Sequence, residues 1–405
     1  MESQPSRGVK MNVEEVSLVN LGKPGKQMDY LTRYLIEEEI EEFQMSHISR
    51  REMVKRVLII TGSMPATASI LLAAGCGASP TATLAPTAAR ASASASASAA
   101  ASAAASTAPA VVASSTVAAT VTRAASPSAA AATPTTAASP TRPAAATPGS
   151  PTAGSPVAGS PVATRNPVTI QPTDPAIEVG MVTYPGPAGQ LVGYLATPKA
   201  ATKAPGIIII HENRGLLEHV KDVARRYAKS GFVVLAIDLL SRVGGTDKVT
   251  DPAQIPNLLS TADRAGVVQD MLSAVAFLKT NAKFAGPKAG VVGYCYGGGM
   301  TWLLATSSTD IGAAVPYYGP APDPISLIQN LSGPVLAFYG ETDTRINVNI
   351  PAIEGAVAQY GKKYQKVIYP GAGHAFNNDT GAAYNEAAAK DAYAKAVDFF
   401  MTNLK

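Results

Sequence analysis

Three side chains in the C-terminal part of this 405-residue chain have the types and setting for covalent acyl chemistry. Cys295 stands in Gly293-Tyr294-Cys295-Tyr296-Gly297, followed by Gly298-Gly299-Met300. A cysteine attacks as its thiolate, and an unperturbed thiol, with a pKa of about 8.5, is mostly protonated at neutral pH. It needs a base or a positive field, and a histidine base needs a group to orient it. His374 offers an imidazole in the glycine-rich run Pro370-Gly371-Ala372-Gly373-His374-Ala375-Phe376, and Asp343 offers a carboxylate in Tyr339-Gly340-Glu341-Thr342-Asp343. Such a set attacks a carbonyl carbon, forms a thioester and is regenerated by water. A free cysteine is more often buried and inert. The other two residues argue against that reading of Cys295. After residue 170 there are three histidines; His211 ends a strand-like run and His219 lies in a helical one, which leaves His374 on a loop.

These residues must be carried by strands that end beside one another. Ile207 to Ile210 is a short apolar run bounded by Pro205-Gly206 and by His211-Glu212-Asn213, the pattern of a strand buried on both faces. A helix is predicted over Leu217–Ser230, a strand over Phe232–Ile237, a helix over Asp263–Lys279 and a strand over Gly290–Gly293. Further strands follow at Ala313–Tyr318, Pro334–Tyr339 and Tyr364–Tyr369, with a last helix over Ala383–Asn403 and a leading hairpin near Met181–Leu195. Alternating strand and helix implies an α/β domain with a mostly parallel sheet flanked by helices on both faces. Cys295 then falls on a strand-to-helix corner, where glycines two before and two after avoid Cβ clashes. That corner aims the N–H of Tyr296 and a helix N-terminus at the reacting atom.

Composition separates this domain from what precedes it. Of 29 acidic residues, ten lie before residue 76 and nineteen after residue 170, with none between. The stretch 77–170 is nearly all Ala, Ser, Thr, Pro, Val and Gly and has no aromatic residue, so it cannot bury a core and is expected to be a disordered tether. The globular domain is therefore expected over 171–405. Its 20 Lys+Arg against 19 Asp+Glu exclude a nucleic-acid binder driven by bulk charge. Two cysteines, Cys76 and Cys295, in different regions exclude a disulfide framework.

Residues 49–76 resemble a twin-arginine export signal: Ser49-Arg50-Arg51-Glu52-Met53-Val54-Lys55 precedes an uncharged stretch, Val57–Ala74, that ends in Leu71-Leu72-Ala73-Ala74-Gly75-Cys76. The small residues before Cys76 are similar to a lipoprotein cleavage site, with the leucine displaced by one position, which makes Cys76 a candidate for lipidation and the N-terminus a candidate membrane anchor. The competing reading is an uncleaved transmembrane helix, since 18 uncharged residues are near the lower limit for spanning. Either way the bulk of the chain is expected outside the cytoplasm. The leader, 1–48, contains Leu31, Leu35, Ile36 and Ile40 at helical spacing with an acidic face, which predicts a short amphipathic helix. No function is assigned to it.

Residues 178–405 resemble the dienelactone hydrolase family of α/β-hydrolases, on the strings Gly-Tyr-Cys-Tyr-Gly-Gly-Gly, Tyr-Gly-x-x-Asp and Gly-His-Ala-Phe in the order nucleophile, acid, histidine. The resemblance implies the α/β-hydrolase fold, a Cys295-Asp343-His374 triad, no metal or other cofactor, and hydrolysis of a small ester or lactone. It also implies that Glu212, in His211-Glu212-Asn213-Arg214-Gly215, hydrogen-bonds the resting thiol, and that the N–H groups of Asn213 and Tyr296 form the oxyanion hole. Family members that take the anionic dienelactone carry an arginine four residues after the catalytic histidine. Here that residue is Asn378, so a different ester or lactone is expected. Arg214, Arg242 and Arg345 are candidates for binding an anion, with Arg214 nearest the motif, or else are solvated surface charges. Two further readings are a thioesterase or acyltransferase using the same site and a non-catalytic wall-binding lipoprotein. A monomer is the default expectation.

Overall fold

The computed structural model describes residues 30–44, 48–74 and 169–404. The first helices are α1 (Tyr30–Gln44), α2 (Arg50–Thr61) and α3 (Met64–Ala73). The body follows with strands β1 (Ile177–Gly186), β2 (Gly189–Pro198), β3 (Ala204–Ile210), β4 (Val233–Ile237), β5 (Phe284–Tyr294), β6 (Ile311–Tyr317), β7 (Val335–Gly340) and β8 (Tyr364–Tyr369). Between and after them come α4 (Glu218–Lys229), α5 (Ile255–Thr261), α6 (Arg264–Thr280), α7 (Tyr296–Ser307), the short α8 (Thr344–Asn347), α9 (Ile350–Gln359) and α10 (Glu386–Asn403). The predicted order of strands and helices is present. Sequence reading missed α5, and it placed the hairpin and the strand before Cys295 too short.

The strands form one sheet in the order β1-β2-β4-β3-β5-β6-β7-β8. The β1-β2 and β2-β4 pairs are antiparallel; β3-β4, β3-β5, β5-β6, β6-β7 and β7-β8 are parallel. Ile207 to Ile210 on β3 are fully buried between two parallel neighbours, as an unbroken β-branched run requires. Asp263 caps α6 by accepting from the Gly266 N–H at 2.8 Å, which closes off one of the unpaired donors of the first turn. β8 ends the sheet, and most of its side chains are exposed or half-buried.

The expected boundary of the globular part at residue 171 is corrected by the structure. Leu31, Tyr34, Leu35, Ile36, Ile40, Met53, Val57 and Ile60 are buried in the same apolar core as the body, and α1 and α2 pack on α5. Composition marks the low-complexity run but cannot show that the segment before it folds back. The rest of the expected tether, to residue 168, and Cys76 lie outside the described residues.

The Ser-Arg-Arg-Glu string is the start of α2. Ser49 accepts from the Glu52 N–H at 3.2 Å, so Arg50 and Arg51 occupy the first turn behind a capping serine. Gly62, at φ 63° in the left-handed region, ends α2, with its N–H on the Leu58 carbonyl at 2.8 Å. The uncharged stretch is thus divided between the end of α2 and the whole of α3. Among the described residues no helix is long and apolar enough to cross a membrane.

Candidate active site

The site lies past the C-terminal ends of β3, β5, β7 and β8. Cys295 follows β5 and precedes α7, and its backbone sits at φ 55°, a conformation that side-chain-bearing residues rarely adopt. Close packing enforces the corner. A Cβ on Gly293 would stand 2.1 Å from the Gly297 carbonyl oxygen, and one on Gly297 would stand 2.3 Å from the Ile210 carbonyl oxygen. The Cys295 N–H is tied to the Tyr317 carbonyl at 3.1 Å, which fixes the turn against β6.

Asp343 and His374 come together. The His374 Nδ1 lies 2.6 Å from Asp343 Oδ2, and both residues are buried. A Cβ on Gly340 would collide with the Gly373 carbonyl, so the loop after β7 and the loop carrying the histidine pack backbone to backbone. The ring of His374 also lies edge-on to Tyr318, centroids 5.1 Å apart, and Tyr318 and Ala375 share with Cys295 a positive φ. The other two histidines are engaged elsewhere. His211 Nδ1 lies 2.6 Å from the Glu212 carbonyl oxygen and its Nε2 takes the Leu239 N–H at 3.1 Å, while His219 pairs with Asp379 at 2.9 Å.

The residue that touches the thiol is not the one expected. Cys295 Sγ donates to Glu38 Oε1 at 2.9 Å, and the same oxygen stands 3.6 Å from His374 Nε2. Tyr34, one turn earlier on α1, donates its hydroxyl to Cys295 Sγ at 3.4 Å. Glu212 instead accepts from the Tyr318 hydroxyl at 3.3 Å and from Asn378 Nδ2 at 2.7 Å. The expectation that Glu212 holds the resting thiol is therefore corrected: α1 seats a different carboxylate there, and Asn378 draws Glu212 to itself. Asn213 is buried, with its side-chain Nδ2 lacking a hydrogen-bond partner in the described structure. Tyr296 opens α7 directly after Cys295.

The arginines also have assigned places. Arg214 pairs with Glu39 at 3.2 Å and Glu42 at 2.8 Å. Arg345 pairs with Glu41 at 2.9 Å, stands 3.8 Å from Glu38 and lies over the Tyr34 ring at 4.6 Å. Arg242 pairs with Asp270 at 2.6 Å, away from this cluster. Glu38 and Tyr34 were missed from sequence, because an acidic helical face reads as solvated unless its partner is known. The available signal was the density of acids in Glu37-Glu38-Glu39-Ile40-Glu41-Glu42.

Burial and then the charge of Glu38 push the Cys295 thiol up to about 12, against a smaller opposing pull from His374. Burial disfavours a charged His374, but Asp343 and then Glu38 outweigh it and hold the imidazole well above its usual range. Burial works against the Glu38 carboxylate too, yet His374 and Arg345 keep it ionised, well below the ordinary carboxyl value. Ligand-type atoms of Glu38, Cys295 and His374, and of Glu41, Asp343 and His374, come within 4.8 Å of one another; both sets share His374, whose Nδ1 is already engaged by Asp343.

The sheet order, its parallel core and the strand-to-helix corner after β5 define an α/β-hydrolase. The family model described as "Dienelactone hydrolase family" matches residues 191–404, and the chain belongs to that family, which is one of ester-bond hydrolases. Two relatives carry the name "Putative carboxymethylenebutenolidase". The one from Salmonella typhimurium is 32% identical over 246 residues, covering 58% of this chain and 91% of its own. The one from Methylorubrum extorquens is 34% identical over 232 residues, covering 55% and 80%. Among solved structures, the "Putative Dienelactone Hydrolase from Klebsiella pneumoniae" superposes with a TM-score of 0.52 at 30% identity, covering 56% of this chain and 99% of that one.

Proposed function

We propose that this dienelactone-hydrolase-family enzyme cleaves small carboxylic esters or lactones through Cys295, His374 and Asp343, and that it works outside the cytoplasm. The observation that carries the catalytic reading is the His374–Asp343 contact at 2.6 Å beside a cysteine on a strained strand-to-helix corner. His374 takes the thiol proton, and the thiolate adds to the substrate carbonyl. The oxyanion is received by the N–H groups of Tyr296 and Asn213; one such donor is typically worth about 100- to 1,000-fold in turnover. Collapse breaks the ester C–O bond, the alkoxide leaves with the proton from His374, and a thioester remains. His374 then takes a proton from water, whose oxygen adds to the thioester; the C–S bond breaks, the carboxylic acid departs, and the sulfur recovers its proton. Asp343 holds the ring so that Nε2 faces the chemistry throughout.

Support for export is the Ser49–Lys55 string and the small residues before Cys76, which also make Cys76 the candidate anchor. The small-molecule class of substrate follows from the family.

Hydrolysis of p-nitrophenyl acetate by the full chain and by its Glu38→Gln variant, each with and without iodoacetamide, tests the catalytic reading. Turnover that alkylation abolishes, and that a Cys295→Ala variant lacks, is expected. Turnover retained by the Cys295→Ala variant overturns the cysteine mechanism.

A further inference from the structure

We infer that α1 is a built-in plug: residues Tyr30–Gln44 occupy the mouth of the active site and keep the chain latent until they are displaced. The inference rests on the esterase reading above and adds its control. Three independent features carry it. First, the position is the reactive one. Glu38 lies between the sulfur at 2.9 Å and His374 Nε2 at 3.6 Å, where a substrate carbonyl would have to enter. Second, the contact is gripped from both sides. Arg214 holds Glu39 and Glu42, and Arg345 holds Glu41 and stacks on Tyr34, so four carboxylates on α1 face two cations at the mouth. Arg56 on α2 adds a third cation to Glu39 and Glu42, at 3.1 and 3.4 Å. Third, the helix is seated by packing, since Tyr34, Leu35 and Ile36 are each at most 3% exposed.

A docked Glu38 disables both partners of the reaction. It accepts the thiol in a hydrogen bond and stands beside His374 Nε2, so neither the sulfur nor the imidazole is free to meet the other or a substrate. Release reverses both effects. The plug also lies on the far side of the low-complexity run from the body, so one cut anywhere between residues 75 and 168 severs its only covalent link to residues 169–404. Docking then depends on a bimolecular affinity in place of a tethered one.

The test uses the full chain with a site-specific protease sequence inserted between Gly149 and Ser150, alongside an uncut chain carrying Leu35→Glu, which places a charge in the packed face of α1. Two readouts are taken: alkylation of Cys295 by iodoacetamide and hydrolysis of p-nitrophenyl acetate. Cutting followed by dilution, and Leu35→Glu separately, are each expected to raise both rates at least tenfold. A synthetic peptide of residues 28–46 added to the cut protein is expected to lower them again, and the same peptide with Glu38→Gln to do so less. Equal alkylation and equal turnover in the intact, cut and Leu35→Glu chains overturn the plug while leaving the esterase standing. Faster alkylation with no hydrolysis by any form supports occlusion and overturns the esterase. Should Leu35→Glu fail to fold, the cut chain and the peptide still decide.

Discussion

The N-terminal helices and the α/β body bury side chains in one core, yet the two regions are held in place by different means. The body is fixed by backbone proximity: at Gly293, Gly297 and Gly340 carbonyl oxygens stand 2.1 to 2.4 Å from where a Cβ would be. Helix α1 is held mainly through its side chains, a few apolar residues and a row of carboxylates against Arg214, Arg345 and Arg56. Interlocked backbone has no partly open state of low energy. Side-chain contacts can be exchanged for water or for another anion. The difference teaches that Cys295, Asp343 and His374 sit on interlocked backbone while the helix over them rests on contacts of a more exchangeable kind.

This contrast can be broken from either side. The largest effect is expected in the body: Gly297→Val forces a branched side chain into the Ile210 and His211 carbonyls and is expected to leave no cooperatively folded protein. A sigmoidal urea transition near that of the unsubstituted chain would show that the corner is less rigid than its contacts imply. Next comes the electrostatic coupling between the regions. Burial and then Glu38 raise the Cys295 thiol to about 12, so in the full chain its alkylation should still be climbing at pH 10. Glu38→Gln keeps the shape and removes one raising charge, which lowers the thiol pKa, so the rise should move to lower pH. Superimposable rate-pH profiles for the two chains would mean that Glu38 blocks by bulk alone. The smallest effect is expected at Lys55 and Asp251, an α2-to-body pair at 3.3 Å whose side chains are both about half exposed. Lys55→Ala should leave the urea midpoint of the full chain unchanged within error, and a clear drop would show that exposed contacts also seat the helices.

The body was largely legible in the sequence because its signals are local. Four isoleucines in a row announce a doubly covered strand, and glycines two residues on either side of Cys295 announce a corner. Asp343 and His374 could be chosen because each follows a readable strand. The third partner was not legible. The motif position drew attention to Glu212, but which carboxylate reaches a thiol is decided by packing between residues more than 250 positions apart, as for Glu38 and Cys295. Arg214 and Arg345 were singled out as anion binders; their anions in this chain are its own glutamates. Helix α5 was overlooked, since it is short and begins Ile255-Pro256, a pair that suggests a turn, and with it the surface on which α1 rests.

The last strand of the sheet has a consequence of its own. Among the described residues β8 offers one row of backbone donors and acceptors to no other strand, an arrangement that invites a second chain to extend the sheet. Lys363 stands exposed just before it and Lys366 projects from its middle, with Glu354 as neighbour. An identical edge approaching it would have to strip the water from Lys363 and disturb the Lys366–Glu354 pair, a desolvation cost set against end-to-end stacking.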